Sequence, residues 1–260
     1  MKSEKLKSLK DILKNVFLPR NLTCSCCGRE SFTGGILCEE CLGKTEKNDG
    51  YVCDHCGLKT PAPAAYCERC KNKLISFDKA RSVYIYGDVT SMLVQKLKYG
   101  GEKYLAEEFA MDTYKVFAAT MTHADGVVCV PMSEKRERKR GYNQSKLIAK
   151  KFAEISLVPF LDVTFKKKET ESQVGKTYKE RRKNLEGSFG ITDKKSVENK
   201  RIVIIDDVCT TGTTADTLAS ALKKAGASEV FVLTYACVVK NKDDAKADLF
   251  DSSIEVKNAE

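Results

Sequence analysis

Eight cysteines arranged as four Cys-x2-Cys pairs constrain this chain more than any other feature. The pairs are Cys24/Cys27, Cys38/Cys41, Cys53/Cys56 and Cys67/Cys70, and the second four repeat the first four with a shift of 29 residues. Ten residues separate the two pairs within each half. A glycine follows the first pair of each half, in "CCGRE" and "HCGLK", where it lets backbone amides turn toward sulfur. Four thiolates around zinc form a closed tetrahedral site, so the stretch suits up to two structural zinc ions. The spacing leaves two pairings. The ten-residue gap of a ribbon hairpin favours the sequential one, four cysteines per half; the other interleaves the halves. With every position filled by protein, none is left to activate water, and the metal holds structure. Structural zinc contributes on the order of 10 kcal/mol to the folding of such small motifs. Redox-active pairs or free thiols are the competing readings, and a repeat this regular argues against them. Cys26 and His55, inside the x2 spacers, read as spare side chains rather than ligands.

The second constraint is "IVIIDDVCTTGTT", residues 202–214. An apolar strand runs into two adjacent carboxylates, Asp206 and Asp207, which do not belong in a buried strand. The loop "CTTGTT" then leads into a helix that carries Ala215, Leu218, Ala221, Leu222 and Ala225 on one face and ends at Gly226. A helix start offers unpaired amides and a dipole that favours anions. Thr210, Thr211, Thr213 and Thr214 add hydroxyls, and Gly212 allows close approach of the backbone, so a phosphate fits. Each charge-assisted bond to it is worth about 1.5–3 kcal/mol. Neither GxxxxGK[ST] nor GxGxxG is present, which argues against a nucleotide P-loop and a dinucleotide fold. Carboxylates beside a phosphate repel it unless something lies between. A ribose meets that need, with its 5′-phosphate in the cradle and its vicinal hydroxyls donating to the two acids.

Around this motif the pattern is α/β. Strands are predicted at 81–87, 125–131, 158–163, 200–206 and 228–239. Two helices joined at Gly100-Gly101 precede the second strand, and a helix carrying Leu147, Ile148, Phe152 and Ile155 follows it. Strand, helix, strand in sequence implies a right-handed crossover in a parallel sheet, whose ligands sit beyond the carboxyl ends of the strands. Cys129 and Cys237 read as small core residues, and Cys209 in the loop as structural.

The formal charge is +9, and it is concentrated: residues 134–151 carry eight Lys/Arg against two Glu, and residues 166–183 eight against three. No run of 18 apolar residues is present, so stable membrane insertion is not expected. The first 20 residues lack the apolar core of a secretory signal, which points to a cytoplasmic chain. They place Leu6, Leu9, Leu13, Val16 and Phe17 at helical spacing, the pattern of a helix packed on its own protein rather than on a membrane. The expected organisation is an amphipathic helix over 1–22, a double zinc ribbon over 23–75, an α/β domain over 76–240 and a polar tail over 241–260.

"VIIDDVCTTGTT" resembles the phosphoribosyl-pyrophosphate (PRPP) signature of type I phosphoribosyltransferases. The resemblance implies that Asp206 and Asp207 hold the ribose hydroxyls and that the loop Val208, Cys209, Thr210, Thr211, Gly212, Thr213 and Thr214 holds the 5′-phosphate. A wider match covers nearly the whole chain. Paired ribbon cysteines, "LKYGG" (97–101), "VPMSEKRERKRGYNQ" (130–144), Gln173, Arg181, Asn184 and Phe189, then the PRPP signature, follow the order of the ComF family of competence-related bacterial proteins. That resemblance implies a phosphoribosyltransferase-like parallel sheet with helices on both faces, behind a small double zinc ribbon. It implies PRPP binding with Mg²⁺ and transfer of phosphoribosyl to an acceptor the sequence does not name. The loop after residues 127–131 resembles the family's pyrophosphate loop, with Ser133, Lys135, Arg136, Arg138 and Arg140; Lys98 is a further phosphate contact. Segment 166–184 matches the lid over PRPP, with Arg181 and Arg182 as catalytic cations. Two other readings use the same features. The basic segments, with Tyr142, Phe165 and Tyr178, suit single-stranded DNA, and the family's link to DNA uptake suggests a competence helicase as partner. A PRPP-binding regulator without turnover is the third.

Overall fold

The computed structural model describes residues 22–71, 75–121, 123–167 and 187–239. The helix expected over 1–22 (but for Leu22), most of the lid segment with Arg181, Arg182, Gln173, Asn184 and Tyr178, and the tail over 241–260 lie outside the described residues.

Four strands form one parallel sheet in the order β1-β6-β5-β2: β1 (Lys79–Ile85), β2 (Gly126–Cys129), β5 (Arg201–Cys209) and β6 (Glu229–Cys237). A small antiparallel pair, β3 (Thr164–Lys166) and β4 (Phe189–Ile191), stands apart. Helices α3 (Asp88–Tyr99), α4 (Leu105–Thr120) and α6 (Gln144–Ser156) cover one face, and α7 (Thr213–Lys224) the other. Burial on both faces explains the unbroken apolar run of β5. Ile202 and Ile204 pack with Leu218 and Leu222 of α7, while Val203 and Ile205 pack with Phe109 and Phe152 on the opposite side. Burying each such side chain contributes about 1.5–3 kcal/mol, so the two-sided strand anchors the domain.

The ribbons, with short helices α1 (Glu39–Gly43) and α2 (Glu68–Lys71), straddle the β1 edge. Cys24 and Cys41 join the core under α3 and α4, whereas Cys53, Cys56 and Cys70 join the core of α7. The linker between them closes the sheet edge: Asn48 N donates to Val83 O at 2.9 Å, and Ile85 N donates to Glu46 O at 2.8 Å. An edge strand covered in this way cannot pair with another chain.

Three expectations need correction. First, β5 does not end at Asp206 but runs on through Asp207 to Cys209, because β6 is equally long and supplies ladder partners for Asp206, Val208 and Cys209. Second, the basic stretch after β2 is a helix, α5 (Glu134–Arg140), rather than a loop. It contains no glycine or proline, Glu134 and Arg138 pair one turn apart at 3.5 Å, and Gly141 ends it in the left-handed region at φ 85°. Third, residues 158–163 make a single bridge, Val127 to Phe160, instead of a strand. Pro159 has no amide to donate, so the segment lies along β2 through two bonds only.

Candidate functional site

The two cysteine clusters are the simplest part of the site chemistry. Cys24, Cys27, Cys38 and Cys41 come together, as do Cys53, Cys56, Cys67 and Cys70, with all sulfurs of a cluster within 4.8 Å of one another. The pairing is therefore sequential. Sulfur separations are 3.8 Å for Cys27–Cys38, 3.6 Å for Cys56–Cys67, 3.7 Å for Cys67–Cys70 and 4.0 Å for Cys53–Cys70. Tetrahedral zinc with bonds near 2.3 Å requires about 3.8 Å between sulfurs, so the donor sets fit that metal. The spacer residues are not ligands in this geometry. Cys26 lies against Met92, and His55 stacks on Phe77 with Nε2 at 3.0 Å from the Phe77 carbonyl.

The acid pair lies at the carboxyl end of β5, where α6 begins and α3 ends. Asn143 fixes this corner. Its Oδ1 caps α6 by accepting from Ser145 N and Lys146 N at 3.0 and 3.3 Å, and its Nδ2 donates to Val130 O at 3.0 Å. The next two residues of α6 then reach the acids. Ser145 Oγ donates to Asp206 Oδ1 at 2.6 Å, and Gln144 Nε2 donates to Asp207 Oδ1 at 3.1 Å. Lys98, near the end of α3, forms an ion pair with Asp207 Oδ2 at 2.8 Å.

The acids therefore titrate apart. Burial, then the charge of Asp207, pushes the Asp206 carboxyl up to about 8. Burial also works against ionised Asp207, but Lys98 overrides it and holds that carboxyl below its ordinary value. Burial likewise opposes charge on Lys98, and the Asp207 carboxylate overrides it, so the ammonium is stabilised. The pair thus favours the proton on Asp206 and the negative charge on Asp207, beside Lys98.

The cradle follows directly. Gly212 begins α7 at φ 72°, in the region that favours glycine, and has no side chain to cap the helix; among the first amides Thr213 N donates to Thr211 Oγ1 at 3.5 Å. Thr211 Oγ1 and Thr213 Oγ1 lie 2.8 Å apart. Thr213 is buried, Thr210 is exposed, and Val208, Cys209 and Thr214 are half-buried. The Cys209 thiol is pushed up by burial, as suits a structural residue rather than a nucleophile.

The basic residues after β2 divide. Arg140 hydrogen-bonds Gln144 Oε1 and lies 4.8 Å over the Tyr99 ring, so it connects to the acids through one side chain. Ser133 is buried at the start of α5; Lys135, Arg136 and Arg138 are exposed on that helix, Arg138 beside Glu134. Sequence reasoning did not single out Gln144, Ser145 or Arg69. Arg69, in the last x2 spacer, donates to the Thr211 carbonyl of the cradle. Gln144 closes the "GYNQ" stretch, and Asn143-Gln144-Ser145 at a helix start, polar yet buried, is the signal that could have marked the first two.

Comparisons with known proteins place both parts of the chain. A phosphoribosyl transferase domain model matches residues 138–258, and a double zinc ribbon domain model matches residues 13–71. Competence protein F of Haemophilus influenzae is 30% identical over 176 residues, 65% of this chain and 77% of that protein. The chain belongs to the ComF family. Other ComF-like relatives are the DNA utilization protein YhgH of Escherichia coli K12, 27% identical over 80% of this chain and 87% of that protein, and competence protein ComFC of Bacillus subtilis, 27% identical over 73% and 79%. This ComF chain thus combines a phosphoribosyltransferase fold with a double zinc ribbon. Among the described residues no helix is long and apolar enough to cross a membrane.

Proposed function

We propose that this chain binds PRPP at the end of β5 and transfers its phosphoribosyl group to an acceptor, within the DNA-uptake machinery of a bacterial cytoplasm. The observation that carries the reading is the adjacency of two unlike elements: a half-buried and a buried acid, Asp206 and Asp207, and, directly after them, a helix start that opens on a glycine and is lined with threonine hydroxyls. A ribose 5-phosphate spans them, its diol donating to Asp206 and Asp207 and its phosphate accepting from the Thr210–Thr214 loop.

Binding rearranges the charges described above. An ionised Asp206 accepts better from a sugar hydroxyl than a protonated one, so uptake of the diol releases the Asp206 proton. Lys98, displaced from Asp207 by the second hydroxyl, is then free to meet the diphosphate. Departure of that diphosphate leaves positive charge on the sugar, which the carboxylates stabilise, while Lys98, Arg140, Ser133 and the exposed Lys135, Arg136 and Arg138 receive the leaving group. Magnesium takes oxygen ligands; the site offers one of the two carboxylates beside the ligand's own oxygens, and the ion neutralises diphosphate charge when bound.

A second reading rests on its own observation. Tyr99 is 63% exposed with Arg140 over its ring, and Lys103 stands 4.8 Å from the Tyr142 ring. Aromatic rings with cations beside them suit stacking of single-stranded DNA, or contact with a competence helicase, without turnover. This fits relatives named for competence and DNA utilization.

Pyrophosphate release from PRPP and Mg²⁺, measured beside a salt series with single-stranded oligonucleotide, separates the two. The transferase reading predicts release that depends on Mg²⁺ and is lost in Asp206→Asn/Asp207→Asn. Oligonucleotide binding that falls steeply with salt and ignores the acid variants, with no pyrophosphate released, favours the second reading.

A further inference from the structure

Arg69 lies between zinc-cluster residues Cys67 and Cys70, yet it reaches out of the ribbon to the cradle 142 residues further along the chain. One guanidinium nitrogen donates to the Thr211 carbonyl, and the same nitrogen lies 2.9 Å from where a Cβ on Gly212 would stand. A side chain at 212 would have to push the guanidinium aside. The guanidinium also contacts the Cys209 thiol, where it opposes the effect of burial. Among the described residues no carboxylate pairs with Arg69.

The start of α7 carries the positive end of the helix dipole, so the dipole and the half-buried guanidinium beside it together favour an anion at this point. The acid in the first turn of α7, Asp216, accepts from Ser76 N at 2.5 Å through Oδ1. A guanidinium has five N–H donors in a fixed fork that matches phosphate oxygens, and the Thr211 carbonyl and Cys209 use only part of them.

We infer that Arg69 is a ligand-binding residue which the second zinc cluster holds over the phosphate cradle, where it grips the 5′-phosphate of the sugar together with the threonine loop. This rests on the phosphoribosyl reading and extends it: the ribbon contributes to the site, and the Cys67–Cys70 metal fixes a functional side chain on both flanks. The first ribbon has no such role. The residue 29 positions earlier is Glu40, paired at the surface with Arg29 and Lys44.

The test is calorimetric titration of the full, zinc-loaded chain with ribose 5-phosphate, with PRPP plus Mg²⁺, and with pyrophosphate alone. Arg69→Ala should weaken ribose 5-phosphate and PRPP about 10- to 100-fold and pyrophosphate by less than about twofold, as expected for loss of one charge-assisted phosphate contact. Arg69→Gln keeps a donor for the Thr211 carbonyl but not the charge, and should be as impaired as Arg69→Ala. Full affinity in Arg69→Gln reduces Arg69 to a tether and overturns the inference, as does unchanged affinity in Arg69→Ala. A wild-type chain that binds neither sugar phosphate overturns the phosphoribosyl reading itself, and the inference with it.

Discussion

The two halves of the cysteine repeat share a spacing and little else. In the first, Cys27 is exposed, and the half meets the α/β domain by side chains such as Ser25 Oγ, 2.9 Å from Tyr104 Oη. In the second, Cys53 is fully buried and the backbone itself is joined to β1. Ala80 N donates to His55 O at 2.7 Å, and Arg81 donates to the Cys53 and Asp54 carbonyls at 3.3 and 2.9 Å. A local motif sets how a metal is held, and the surroundings set what the metal then does for the rest of the chain. The first ribbon is an attachment; the second is bonded to the β1 backbone and reaches the start of α7 through Arg69.

The strongest way to break this contrast is to remove one ligand from each cluster. Cys53→Ser should lower stability by about 3 kcal/mol or more, near 10 °C in melting temperature for a domain of this size, whereas Cys27→Ser should cost less than half as much. Thermal unfolding with zinc quantified per chain checks this; equal losses would remove the distinction. The glycines at equivalent repeat positions sharpen it next. Gly28 and Gly57 have φ values of 72° and 69°, but a Cβ on Gly28 meets open space and one on Gly57 meets the Ala80 carbonyl. Gly28→Ala should cost about 1–2 kcal/mol from the left-handed backbone alone, and Gly57→Ala about 1 kcal/mol more because the docking on β1 must shift.

Coupling to the ligand offers a subtler test. If the second cluster holds Arg69 on bound phosphate, saturating PRPP with Mg²⁺ should slow chelator extraction of that zinc and leave the first unchanged. Zinc release followed by a colorimetric chelator, in chains where Cys27→Ser or Cys53→Ser leaves only one cluster intact, distinguishes them.

Asp206→Asn provides the smallest effect and a control, since it should alter neither cluster. The Asp206 carboxyl is raised in the folded chain, so between its unfolded value and about 8 the folded state holds a proton that the unfolded state has lost. Wild-type stability from this group therefore falls as pH rises through that window and levels off above it. Asparagine still accepts from Ser145 Oγ and Asp207 N, so the variant should be more stable by about 0.5–2 kcal/mol at pH 8 and above, with a flatter pH profile in chemical denaturation.

Much of this was legible in the sequence because it is local. The ten-residue gap of the cysteine repeat favoured the sequential pairing that the fold adopts, and the apolar run of β5 announced a buried parallel strand. The acids and the cradle stood next to each other in the chain. What escaped was set by partners distant in sequence. The length of β6 decided that β5 would continue past Asp206 to Cys209. The corner at Asn143 decided that Gln144 and Ser145 would meet those acids. The docking of a ribbon on β1 decided that Arg69, an ordinary spacer residue by its neighbours, would lie over Thr211. The basic stretch after β2, expected as a loop, is helical because it is built of Glu, Lys and Arg, all good helix formers.

The claim beneath all of this is that the twin acids and the threonine loop bind one ligand together. Calorimetric titration of PRPP with Mg²⁺ into the wild type and into Asp206→Asn/Asp207→Asn, across pH 6.5 to about 9, tests it most directly. The account predicts wild-type affinity that tightens as pH rises toward about 8, where Asp206 gives up its proton more readily, and no measurable binding in the double variant. Undiminished affinity in the double variant would contradict it.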